Sequence, residues 1–263
     1  MKFCRVEHSG KTVYGLIEEV AGASTIIRGL DRFPASVADF NSGERMGLLL
    51  SSARLLSPTI PSKIVCVGRN YREHAKELNH EIPTSPLIFL KPPSAVIGPG
   101  DPIRRPHRLS QRVDHEGELG VVIGRRCYGL RDDEDVRSCI VGYTCVNDVT
   151  ARDLQNIDGQ WTRAKGFDTF CAIGPVVVAG LDPWHGVRVQ TRLNGELRQN
   201  GTTADFIFPL DVILRYITSV MTLEAGDLIA TGTPAGVGPM QAGDIVEVTV
   251  EGVGTLKNPV VNA

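Results

Sequence analysis

The sequence predicts an α+β fold dominated by β-strands, on three observations. Short apolar segments recur along the chain, many with two-residue alternation, bounded by turn-forming residues. The 28 glycines and 16 prolines supply turns at the density that many short strands need. Strands and helices show no regular alternation, which argues against a doubly wound parallel sheet.

Taken in order, residues 1–17 read as a hairpin. Cys4 and Val6 alternate with Arg5 and Glu7, His8-Ser9-Gly10-Lys11 supplies the turn, and 12–17 return. Val37, Phe40, Met46 and Leu49 give 34–50 a helix-like spacing. Ser57-Pro58-Thr59-Ile60-Pro61 is a stiff extended connector that closes a small N-terminal module at 1–60. The main domain then occupies 61–263. Strands are expected at 63–67, 87–91, 119–123, 140–146, 176–179, 187–193, 227–231, 245–250 and 254–258. Helices are expected at about 71–79, 132–137, 149–157 and 209–220.

Totals narrow the function classes. The 263 residues suffice for one large core. Lysine plus arginine number 28 against 30 acidic residues, so the net charge is 28 − 30 = −2. That balance gives no electrostatic basis for binding nucleic acid or an anionic membrane. No stretch approaches roughly 18 uninterrupted apolar residues. Met1-Lys2-Phe3-Cys4-Arg5 lacks the apolar run of a secretion signal, so a cytoplasmic location is expected. The six cysteines show no CxxC spacing and read as buried free thiols in a reducing compartment.

The segment Val113-Asp114-His115-Glu116-Gly117-Glu118-Leu119 carries the first chemical signal. Glu116 and Glu118, two apart at the mouth of an apolar strand, share one face of a sheet. Paired carboxylates repel unless one is protonated or a cation bridges them. Asp148, at the outlet of the 140–146 strand, offers a third acid. An oxygen-only set favours Mg²⁺, Mn²⁺ or Ca²⁺ over zinc. By spacing alone, E-x-E is most often a solvated strand edge, and Asp148 could be just a helix N-cap.

Five ordered motifs are more specific. Gly68-Arg69-Asn70-Tyr71 followed by His74 and Glu77 resembles the opening motif of the fumarylacetoacetate hydrolase family. The 113–119 segment resembles that family's metal strand. Val146-Asn147-Asp148-Val149-Thr150-Ala151-Arg152-Asp153, Trp161-Thr162-Arg163-Ala164-Lys165-Gly166-Phe167-Asp168 and Thr231-Gly232-Thr233-Pro234-Ala235-Gly236-Val237-Gly238-Pro239 match later motifs in order. The resemblance spans roughly 61–260 of the numbering. It implies a mixed β-sandwich-like roll with peripheral helices, assembled as a homodimer. It implies Glu116, Glu118 and Asp148 as metal ligands and His74 with Glu77 as a catalytic dyad on a short closing helix. Arg152, Gln155, Lys165 and Thr233 match positions that contact a 2-oxo acid substrate.

These residues suit enolate chemistry. A divalent cation and the Lys165 charge would stabilise a pyruvate enolate. His74 and Glu77, three apart on one helix face, could form a base and its orienting carboxylate. The resemblance leads to a metal-dependent hydrolase cleaving a C–C bond in 2,4-dioxo acids. The alternative is a decarboxylase or isomerase of oxo-diacids from aromatic-acid breakdown, and a further one is a non-catalytic binding protein on the same fold. The remaining histidines, His8, His80, His107, His115 and His185, lack ligand-type spacing and read as structural. Strand alternation sends His115 away from Glu116. Loops at 79–86 and 196–208 are expected to meet the far end of the substrate. No G-x-G-x-x-G follows a strand and no G-x-S-x-G is present, which disfavours a dinucleotide enzyme and a serine hydrolase.

Overall fold

A twelve-stranded mixed sheet forms one layer of the computed structural model, which describes residues 1–77 and 81–263. Cys171–Val178, Ile140–Asp148, Gly117–Ile123, Leu228–Ala230, Ile64–Gly68 and Leu87–Lys91 lie side by side in that order. Pairing along this run is antiparallel except between Leu228–Ala230 and Ile64–Gly68. A five-stranded sheet lies against it, in the order Glu196–Thr202, Arg188–Leu193, Ile245–Val250, Gly254–Asn262, Ile103–Arg105. Leu119, Val121, Cys145 and Val176 of the large sheet meet Val189, Val248, Val250 and Leu256 of the small one. On the opposite face Val122, Val146 and Ile173 pack with Phe3, Phe40, Ile64 and Cys66. With both faces covered, all seven residues of Gly117–Ile123 are buried, which is why that strand reads as a nearly continuous apolar run. The fold is α+β and β-dominated.

The hairpin at the start has the expected turn, with Lys2–His8 pairing with Lys11–Val20. Its first strand also pairs with Cys171–Val178 (Lys2 opposite Val178), so the N-terminal strands extend the large sheet. The helix expected over 34–50 does not form. Val37–Ser42 is a single 3₁₀ segment, and Glu44–Leu49 is a strand paired with Ala23–Leu30. Ladder hydrogen bonds and burial of Phe40, with Met46 and Leu48 against the core, replace the helical period. The 132–137 helix is likewise only a 3₁₀ turn at Val136–Cys139.

The other helices are Arg72–Glu77, Arg152–Asp158, Thr162–Lys165 and Leu210–Val220. Positions 78–79 of the first expected helix, and His80, lie outside the described residues. All six thiols are free and buried. No helix among the described residues is long and apolar enough to cross a membrane.

Candidate active site

Antiparallel register builds the carboxylate cluster. Gly117 lies opposite Asn147, so the start of one strand meets the end of the next, and the Asp148 backbone N–H donates to Glu116 O at 2.8 Å. The side chains of Glu116, Glu118 and Asp148 are buried, with one candidate ligand oxygen from each lying within 4.8 Å of the others. The 231–239 turn closes over them. Gly232 donates its backbone N–H to Glu118 Oε2 at 2.8 Å. It sits at φ 99°, and a Cβ there would come within 2.8 Å of Asn70 Cβ, so glycine is required.

Cations surround this cluster. Lys165 Nζ donates to Glu116 Oε2 and Asp148 Oδ2, each at 2.7 Å. Lys91 Nζ donates to Asp148 Oδ1 at 2.5 Å and to Val149 O at 3.1 Å. Arg152 donates from Nη2 to Glu116 Oε1, from Nε to Asp114 Oδ2 at 3.0 Å, and from Nη1 to Gln155 Oε1 at 2.7 Å. Burial pushes the Glu116 carboxyl upward, but the Lys165 and Arg152 charges outweigh it and hold the group well below the usual carboxylate range. Glu118 behaves oppositely: burial, then the charges of Asp148 and Glu116, push it well above that range. Among the described residues no cationic side chain comes within ion-pair distance of Glu118. A buried carboxylate raised this way, beside two others and with oxygen donors only, fits a hard divalent cation.

His74 and Glu77 project from the helix Arg72–Glu77. Nδ1 of His74 lies 3.2 Å from Glu77 Oε2, which leaves Nε2 as the free ring nitrogen. Glu77 also accepts the Gly236 backbone N–H at 3.0 Å. Burial lowers the His74 pKa despite the opposing charge of Glu116 and the bond to Glu77, which favours the neutral imidazole.

A cavity of about 270 Å³ joins these groups. His74, Glu116, Asp148, Arg152, Gln155, Lys165 and Thr233 all line it; Glu118 completes the carboxylate cluster without lining the cavity, and Glu77 backs His74. Thr233 donates to Gly117 O and accepts from Gln199 Nε2, at 2.8 and 2.7 Å. His115 is buried outside the cavity, 3.3 Å through Nδ1 from Gln199 Oε1. Neither 196–208, largely the strand Glu196–Thr202, nor the described part of 79–86 lines this cavity. The far wall comes instead from Arg69, Phe89, Asn156, Gly159 and Trp161.

Sequence reasoning assigned no role to Lys91, Asp114 or Gln199. A lysine closing the apolar run Leu87–Lys91 directly before two prolines was the available signal for the first. Asp114 and Gln199 carried none, since their partners come from other segments.

Buried charge at this density around a small cleft marks a candidate active site. Comparison with known proteins narrows the class. The model of the fumarylacetoacetate (FAA) hydrolase C-terminal family matches residues 63–261. Oxaloacetate tautomerase YisK of Bacillus subtilis is 43% identical over 225 residues, covering 80% of this chain and 74% of the relative. The mitochondrial oxaloacetate tautomerase fahd2 of Xenopus laevis is 41% identical over 224 residues, covering 80% and 69%. The crystal structure of 2-hydroxyhepta-2,4-diene-1,7-dioate isomerase from Mycobacterium marinum superposes with a TM-score of 0.88 at 42% identity, covering 100% of this chain and 98% of that one. The chain belongs to the fumarylacetoacetate hydrolase family.

Proposed function

We propose that this enzyme interconverts the keto and enol forms of a 2-oxo diacid, with Glu116, Glu118 and Asp148 holding Mg²⁺ or Mn²⁺. The observation that carries this reading is a Glu77-backed His74 on the same small cavity as Glu116, Asp148 and Lys165. The relatives named as an oxaloacetate tautomerase and a dienedioate isomerase support it, and favour it over the hydrolysis expected from the motifs.

In this reading Nε2 of His74 takes the proton from C3 beside the keto carbon. The C–H electron pair becomes the C2=C3 bond, and the keto oxygen gains the negative charge. The Lys165 ammonium lies in the cavity wall, where its charge favours that oxygen. Return of the proton to oxygen completes an isomerisation with no atom gained or lost. Arg152 is held on three sides by Asp114, Glu116 and Gln155 and keeps further N–H donors for the substrate C1 carboxylate. The bound divalent ion would supply Lewis-acid stabilisation of the developing oxyanion.

The test follows the ultraviolet absorbance of enol-oxaloacetate with Mg²⁺, beside assays for CO₂ release and for acylpyruvate cleavage. Tautomerisation should exceed the spontaneous rate and fall roughly 10²–10⁴-fold in His74→Ala. Efficient acylpyruvate cleavage without accelerated tautomerisation would reject this proposal in favour of the hydrolase.

A further inference from the structure

The cavity has two cationic ends joined by an aromatic wall. At the inner end Lys165 Nζ lies over the Phe89 ring, 5.0 Å from its centroid. Phe89 meets Trp161 edge-on with centroids 5.1 Å apart, and the Arg69 guanidinium lies 6.0 Å from the Trp161 ring. Gly68 makes this wall possible, because a Cβ there would strike the Trp161 ring at 2.7 Å.

Arg69 differs from the other cations on the cavity. Lys165 and Arg152 are each tied to carboxylates. Among the described residues Arg69 forms no ion pair, and none of the three remaining residues, Leu78, Asn79 and His80, is acidic. Its backbone is also unusual, with φ at 56°, a region that disfavours any residue bearing a Cβ. The next residue holds the turn in place: Asn70 donates to Thr231 O and Phe208 O, and accepts the Phe208 backbone N–H. A pinned, left-handed arginine that reaches the cavity without a carboxylate partner is set for a ligand's anion.

We infer that Arg69 is the specificity-determining residue that binds the second, distal carboxylate of a dicarboxylate substrate. This rests on the diacid reading of the site and adds the group that selects for it. One carboxylate engages the inner end near Arg152 and Lys165, the carbon chain passes along Phe89 and Trp161, and the other carboxylate meets the Arg69 fork.

The experiment is calorimetric titration, in Mg²⁺, of wild type, Arg69→Gln and Arg69→Lys with 2-oxoglutarate and with 2-oxobutanoate. The two ligands share the 2-oxo acid head and differ in the terminal carboxylate. Wild type should prefer the diacid by about tenfold or more, the scale of a charge-assisted contact. Arg69→Gln should bring that ratio near one, and Arg69→Lys should keep part of it. Trp161 fluorescence should respond more strongly to the diacid. The assignment is overturned if wild type binds 2-oxoglutarate no better than 2-oxobutanoate, or binds neither. It is also overturned if Arg69→Gln leaves the ratio unchanged. A collapsed ratio in a protein without tautomerase activity would uphold Arg69 and reject the proposed function.

Discussion

His74 Nδ1 and Glu77 Oε2 stand 3.2 Å apart, and Glu77 also accepts the Gly236 N–H, so one carboxylate joins the imidazole to the 231–239 turn. The His74 pKa lies below its usual 6.5, chiefly through burial, while Glu77 acts to raise it. If neutral His74 is the base, kcat/KM should fall as pH drops through a value under 6.5. Glu77→Gln removes an upward influence, so the acid limb should move to still lower pH. Its plateau should fall by less than the roughly 10²–10⁴-fold loss expected of His74→Ala. A pH–rate profile checks both; an acid limb moving upward contradicts the pairing.

Glu118 is raised above the ordinary carboxylate range, so its linkage has the opposite sign to an ion-paired acid. Its contribution to metal-free stability is fully present below the unfolded pKa and is lost as pH rises through the folded one. At neutral pH Glu118→Gln should therefore melt at or above wild type in EDTA. Added Mn²⁺ should raise the wild-type melting temperature and raise that of the variant much less. Equal shifts in both proteins would remove Glu118 from the cation site.

Lys91 and Asp148 form an ion pair with both side chains almost fully buried. Lys91→Met leaves the Asp148 charge short of a partner, at a cost of about 3–5 kcal/mol. Urea unfolding should register that loss, and Mg²⁺ should restore part of it. Wild-type stability in Lys91→Met would mean that Lys165 alone compensates Asp148.

Gln199 accepts the Gly117 N–H at 2.9 Å and donates to Thr233 Oγ1 and Pro234 O, each at 2.7 Å. It therefore ties the small sheet to the acidic strand and to the turn above it. Gln199→Leu should cost about 1–3 kcal/mol through buried groups left unsatisfied. It should also lower kcat/KM, because Thr233 and Gly117 lose their shared anchor. A destabilised variant with unchanged kinetics would confine Gln199 to a structural role.

Much of the frame was legible locally. Alternation in Cys4–Arg5–Val6–Glu7 and the apolar run ending at Ile123 reported strands, because one residue's exposure depends mainly on its own face of the sheet. The stretch 34–50 departs from its sequence pattern for the complementary reason. Its apolar spacing suits a helix, and only pairing with Ala23–Leu30 made Glu44–Leu49 a strand.

The sequence by itself determined the strand-rich class and the ordered family motifs, since each is encoded by short spacings along the chain, and through the resemblance those motifs carry it pointed to the three carboxylates and the dyad. Tertiary structure alone decided what those groups face. Lys91 reaches Asp148 across 57 residues, Gln199 reaches Gly117 across 82, and Arg69 meets Trp161 only because Gly68 lets the ring approach. Such meetings depend on strand register and layer packing, in which a one-residue slip reverses every side chain. Periodicity within a single segment therefore carries no record of them.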